Sequence, residues 1–103
     1  MTEPAVIHDE ANHRYTVTLD GEVAGLAVYH DRGGRRLFVH TEIADEHEGK
    51  GLGSVLVRGA LEGTERDGLK VVPICPFVAG WLERHPEMLG VVDEDRRRLI
   101  ESD

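Results

Sequence analysis

Three groups in this chain have the residue types and placement for chemistry: a glycine-rich stretch, one cysteine and one histidine. The stretch is Glu48-Gly49-Lys50-Gly51-Leu52-Gly53-Ser54, and it follows the extended run His40-Thr41-Glu42-Ile43. It reads as a loop that opens into a helix. Backbone N–H groups at such a point lack intrahelical partners, and the helix dipole adds positive character, so the segment suits a phosphate or pyrophosphate. The spacing is neither a Walker loop nor a dinucleotide fingerprint, and an ordinary glycine turn is the competing reading. Cys75 follows the apolar run Val71-Val72-Pro73-Ile74 and precedes Pro76. An inert core thiol is one reading. A reactive thiol is the other, because a helix N-terminus favours a thiolate. His40 stands near the carboxyl end of the run that feeds the loop, as a surface histidine or as a general base. A diphosphate cradle and one thiol in so short a chain suggest a coenzyme A site.

The elements around these groups follow from periodicity. Residues 5–9 read as a short strand. Arg14 to Leu19 alternates, with Tyr15, Val17 and Leu19 on one face, as a half-buried strand does. Asp20-Gly21 is a two-residue hairpin signal. Residues 22–30 return as a strand with Ala24, Leu26 and Val28 on one side. A second turn falls on Asp31-Arg32-Gly33-Gly34, and residues 35–43 run on with Leu37 and Val39 inward. The period then changes. Leu52, Val55, Leu56, Gly59 and Ala60 recur at helical spacing, which predicts a helix over residues 51–67 that stops at Gly68. Residues 69–74 read as a buried strand beside residues 35–43. Pro76 fits the first turn of a further helix, whose apolar face is Phe77, Val78, Trp81 and Leu82 and which ends at His85-Pro86-Glu87. A last helix is expected over residues 93–102. The fold class is α/β (α+β): an antiparallel meander, then strand–helix–strand–helix, in one domain spanning 1–103. Its core would occupy about 5–92 and its tail 93–103.

Composition narrows the function. The chain has 103 residues and a formal net charge of -8, which argues against nucleic acid, whose partners carry basic faces. The one basic run, Arg96-Arg97-Arg98, follows Asp93-Glu94-Asp95 and reads as a solvated face. No apolar run approaches the ~20 residues of a membrane span, and no secretory signal pattern opens the chain. A single cysteine makes an internal disulfide impossible and suits a reducing cytoplasm. None of the six histidines pairs with another at metal-ligand spacing on one element, so no metal is expected. Exposed strand edges fit a monomer or weak homodimer.

The loop and the cysteine segment together resemble the GNAT superfamily of acetyl-coenzyme A-dependent N-acetyltransferases, in particular its short single-domain YjdJ-type subgroup. Gly51 and Gly53 match the two small positions of the family's Gln/Arg-x-x-Gly-x-Gly/Ala signature, and Glu48 departs from its first position. The subgroup shares a histidine–threonine strand end, like His40-Thr41-Glu42-Ile43. It also shares a Cys-Pro-Phe-Val segment with an aromatic and a His-Pro-Glu beyond it, like Cys75-Pro76-Phe77-Val78, Trp81 and His85-Pro86-Glu87. The likeness runs from about Arg14 to Leu89.

The resemblance implies a meander splayed against a parallel strand pair, with acetyl-CoA in the V between residues 35–43 and 69–74. Amides of Glu48, Gly49, Lys50, Gly51, Leu52, Gly53 and Ser54 would hold the pyrophosphate, with charge from Lys50. Main chain at Thr41, Glu42 and Ile43 would pair with pantetheine, and the thioester would end near Cys75 and Pro76. The family's usual thiol-protonating tyrosine has no counterpart after Tyr29. Cys75 is then the substitute, as acid or as nucleophile with His40 as its base. The helices that usually shape the acceptor pocket are missing. This suits an open acceptor site for a protein, peptide or polyamine amine, which negative charge would attract. A non-catalytic CoA-binding module or sensor is the alternative, and an interaction domain with a mere glycine turn is the third reading.

Overall fold

The computed structural model describes residues 3–96. Five strands form one sheet in chain order: β1 (Ala5–Asp9), β2 (Arg14–Leu19), β3 (Glu22–Arg32), β4 (Arg35–Ile43) and β5 (Lys70–Pro73). The first four are antiparallel and β5 is parallel to β4. Helix α1 (Leu52–Arg66) connects β4 to β5, and α2 (Pro76–Arg84) follows directly. Residues 94–96 are helical, and the rest of the expected last helix lies outside the described residues.

Local chemistry accounts for the element ends. Both hairpins turn on two residues at positive φ, Asp20-Gly21 and Gly33-Gly34, the geometry that matches strand twist. The second turn is thus tighter than the four residues expected, because Asp31 and Arg36 pair across the hairpin and keep Asp31 and Arg32 in β3. Gly68 closes α1 at φ +75°, with Leu69 N–H donating to the Thr64 carbonyl. β5 is shorter than expected, since Ile74 turns away and is half exposed.

Two bulges reverse the expected strand faces. Val17 pairs with Gly25 and Thr18 with Val23, so Ala24 is an extra residue in β3. Ala24, Ala27 and Tyr29 face the core, and Leu26 and Val28 turn to the other side. In β4, Tyr29 pairs with Phe38 and Val28 with His40, so Val39 is extra. Arg36 and Phe38 are buried where Leu37 and Val39 were expected. One extra residue inverts the facing between the stretches it separates: in β4 the even positions face inward before Val39 and the odd ones after it.

The core lies between one sheet face and the two helices. Leu52, Leu56, Val57, Ala60 and Leu61 of α1 meet Tyr15, Val17, Tyr29 and Phe38, while Val55, expected inward, stays exposed. Gly59 and Gly63 bring α1 close to the sheet: a Cβ would lie 2.7 Å from Val6 Cγ2 or 2.8 Å from the Tyr15 hydroxyl. In α2, Val78, Trp81 and Leu82 are buried, but Phe77 is 43% exposed.

Candidate active site

Strands β4 and β5 pair only over Arg35–Phe38 and Lys70–Pro73. After Pro73 the chain turns. Cys75 N–H donates to the Phe38 carbonyl at 2.8 Å, and α2 starts at Pro76. β4 continues to Ile43, so residues 39–43 have no strand on their β5 side. This is the V anticipated between the two strands. A ligand with its own amides can add to such an unpaired edge as a strand does.

The bulge at Val39 decides which side chains meet in the V. It turns Thr41 and Ile43 to the face of Phe38, and His40 and Glu42 to the opposite one. The Cys75 thiol donates to Thr41 Oγ1 at 3.5 Å. Cys75 is 6% exposed, N-caps α2, and has no side-chain capping bond there. His40 is not brought to Cys75. Its Nε2 lies 3.4 Å from Glu42 Oε2, and both side chains are more than half exposed.

The glycine loop forms the second wall. Ala44 N–H donates to the Ala24 carbonyl, a single 3-10 turn (Asp45–His47) follows, and Gly49 and Gly51 both take positive φ. Gly51 N-caps α1 with no side chain to satisfy the first turn. Glu48 N–H is taken by the Asp45 carbonyl. Among the described residues, the amides of residues 49–54 have no protein acceptor. The unpaired amides at the start of α1 are thus those of residues 49–54, and that of Glu48 is already bonded within the turn. Lys50 Nζ sits 3.4 Å from His47 Nδ1, exposed at the loop tip.

The first turns of α1 and α2 touch. A Cβ on Gly53 would stand 2.6 Å from Phe77 Cζ. Gly53→Ala is expected to push the Phe77 ring aside and lower stability by about 1 kcal/mol, at the mild end of overpacking because that ring is half exposed. Chemical denaturation measures this, and Phe77→Ala should remove the penalty. Ser54 Oγ accepts a hydrogen bond from Trp81 Nε1 at 2.9 Å. The helical spacing of Trp81 marks it only as core. Nothing in its spacing signals the bond to Ser54, which sits on another helix.

Both tyrosines lie in the buried aromatic cluster with Phe38. Tyr15 and Tyr29 are buried around Arg36, whose guanidinium bonds Asp31 Oδ1 and Oδ2, Asp67 Oδ2 and the Tyr15 hydroxyl. Burial raises both phenols above the ordinary tyrosine range. Among the described residues, no group of three or more His, Cys, Asp or Glu side chains is arranged to hold a metal ion. No helix among them is long and apolar enough to cross a membrane.

The antiparallel meander, the parallel β4–β5 pair that parts beyond Phe38 and Pro73, and the flanking helices are the GNAT-like mixed sheet expected above. The model of the GCN5-related N-acetyl-transferase family matches residues 14–91, and the chain belongs to that family. Among curated proteins it is similar to Protein NATD1 of Gallus gallus and of Homo sapiens. Each is 26% identical over 83 residues, covering 79% of this chain and 76% and 74% of those proteins. Protein NATD1 of Bos taurus is 25% identical over the same length.

Proposed function

We propose that the chain binds acetyl-CoA in the V and transfers the acetyl group to an amine. The observation that carries this reading is the parting of β4 from β5 after Phe38 and Pro73, with Cys75 and the free amides of residues 49–54 on its two sides. The amides would hold the pyrophosphate, with helix-dipole assistance from α1. Pantetheine would pair with β4 main chain at Thr41 to Ile43, and the thioester would reach Cys75.

In the transfer, the amine nitrogen forms a bond to the acetyl carbon as the carbon–sulfur bond of the thioester breaks. The departing sulfur needs a proton, and the nitrogen must lose one. The Cys75 thiol, held in this structure as a donor to Thr41, supplies the first. His40, oriented by Glu42 on the other face of β4, takes the second. Fixed orientation of thioester and amine adds to the rate. The acceptor would come from the side where a 360 Å³ depression is lined by Val23, Leu26, Ile43, Glu42 and Asp45. Its carboxylates favour a cationic amine on a protein, peptide or polyamine. A working thiol suits a reducing compartment such as the cytoplasm.

A passive CoA-binding sensor is the second reading, favoured by the capture of both tyrosines in the Arg36 cluster. Thermal shift with acetyl-CoA, followed by CoA release in the presence of amines, separates the readings. A shift with amine-dependent CoA release supports transfer, and a shift without release leaves the sensor. No shift at saturating acetyl-CoA would overturn both.

A further inference from the structure

We propose that Trp81 is a positioning residue. Through its bond to Ser54 it sets the span between the phosphate-binding turn of α1 and the thiol at the start of α2. The inference rests on the acetyl-CoA reading above and deepens it. The two ends of the proposed site belong to different helices that start beyond different strands. Residues 49–54 follow β4 and Cys75 follows β5, and these strands no longer pair at that height. Cys75 is tied to Phe38 and Thr41 of β4, and two contacts from α2 reach the first turn of α1 itself. The Phe77 ring rests on Gly53, but it is half exposed and makes no directional bond there. The Trp81 indole is 1% exposed, and its N–H donates to Ser54 Oγ in the first turn of α1.

The surroundings of the indole hold its N–H in aim. His85 stacks on the ring at 3.9 Å and 11°, and its Nδ1–H donates to the Trp81 carbonyl at 2.8 Å. Arg58, one turn beyond Ser54 on α1, places its guanidinium carbon 5.3 Å from the ring centroid and is itself bonded to Glu87. Trp81 is therefore anchored on α2 and oriented from both helices. Ser54 offers its hydroxyl to the indole and leaves its amide open towards the anion.

A long ligand that grips both ends senses this span, and a short one that grips only the phosphate end does not. The test compares acetyl-CoA with adenosine 3′-phosphate 5′-diphosphate, which carries the pyrophosphate without pantetheine. Trp81→Phe keeps the ring and removes the donor; Ser54→Ala removes the acceptor and keeps the amide. By calorimetry, each variant is expected to bind acetyl-CoA roughly 5- to 10-fold more weakly, the worth of one hydrogen bond, and to lose distinctly less for the short ligand. The double variant should lose no more than either single one. Parallel loss for both ligands would make Trp81 merely structural, and unchanged acetyl-CoA binding in Ser54→Ala would also overturn the proposal. Ser54→Ala answers the question even if Trp81→Phe folds poorly. Failure of the wild-type chain to bind acetyl-CoA would instead overturn the functional reading itself.

Discussion

Cys75→Ala is expected to lower acetyl transfer by about 10²- to 10⁴-fold, the usual worth of a positioned proton donor, with little change in acetyl-CoA affinity. The thiol is nearly buried, sits where α2 begins, and among the described residues bonds Thr41 Oγ1. On the proposed function it would give its proton to a sulfur arriving in the V. Cys75→Ser retains a hydroxyl donor and is expected to keep part of the rate. A covalent route predicts otherwise: both variants would be dead, and intact-protein mass spectrometry would find one acetyl group on the wild-type chain. That route needs a base beside Cys75. The bulge at Val39 sends His40 to the opposite face of β4, paired with Glu42. An acetyl adduct that disappears in His40→Ala would sink the acid role and restore His40 as the partner of the thiol.

That bulge also marks the limit of what was legible in the sequence. Alternation and turn chemistry located all five strands, and period and glycine placement located α1 and α2, because those signals are local. Strand facing is local only while the ladder is regular. Neither Ala24 nor Val39 carries a mark of being an extra residue, and each reverses its strand from there on. An unbulged β4 would have put His40 on the face of Phe38, and with it a Cys75–His40 pair. The glycines were legible as a loop but not in their reasons. Gly51 needs its positive φ, whereas Gly53 is small because Phe77 lies on it. Contacts between distant elements were not legible at all. Ser54 with Trp81 and Arg36 with Asp67 are residues 27 and 31 apart in sequence, with no periodic link.

Arg36→Met should be the most destabilising single change away from the V, at about 3 kcal/mol. For a chain of this size that corresponds to a fall of roughly 10–25 °C in Tm. Arg36 follows a Gly-Gly turn and would be taken for a surface residue, yet it is 4% exposed. Burial by itself would discharge it. The hydrogen bonds it donates to Asp31 and Asp67 outweigh that, and its guanidinium is held more firmly protonated than usual. It also stacks over Tyr29 at 4.3 Å. Removing it leaves two carboxylates without their cation and the Tyr15 hydroxyl without its donor. Those carboxylates are about 40% exposed, so water recovers part of the loss and the cost stays near the low end for a broken buried pair. The pH dependence follows from Asp31. The Arg36 hydrogen bond holds its carboxyl below the ordinary value of 3.8. A group depressed in the folded state contributes stability above its unfolded pKa, and that stability disappears as pH falls through the folded one. Wild-type stability should therefore drop steeply below about pH 4, and Arg36→Met should drop less steeply there. Asp31→Asn should be weaker than wild type at neutral pH and converge with it in strong acid. Denaturation midpoints between pH 2 and 7 test this. Parallel acid limbs for wild type and Asp31→Asn would show that the Asp31–Arg36 pair contributes no more than a solvated surface bridge.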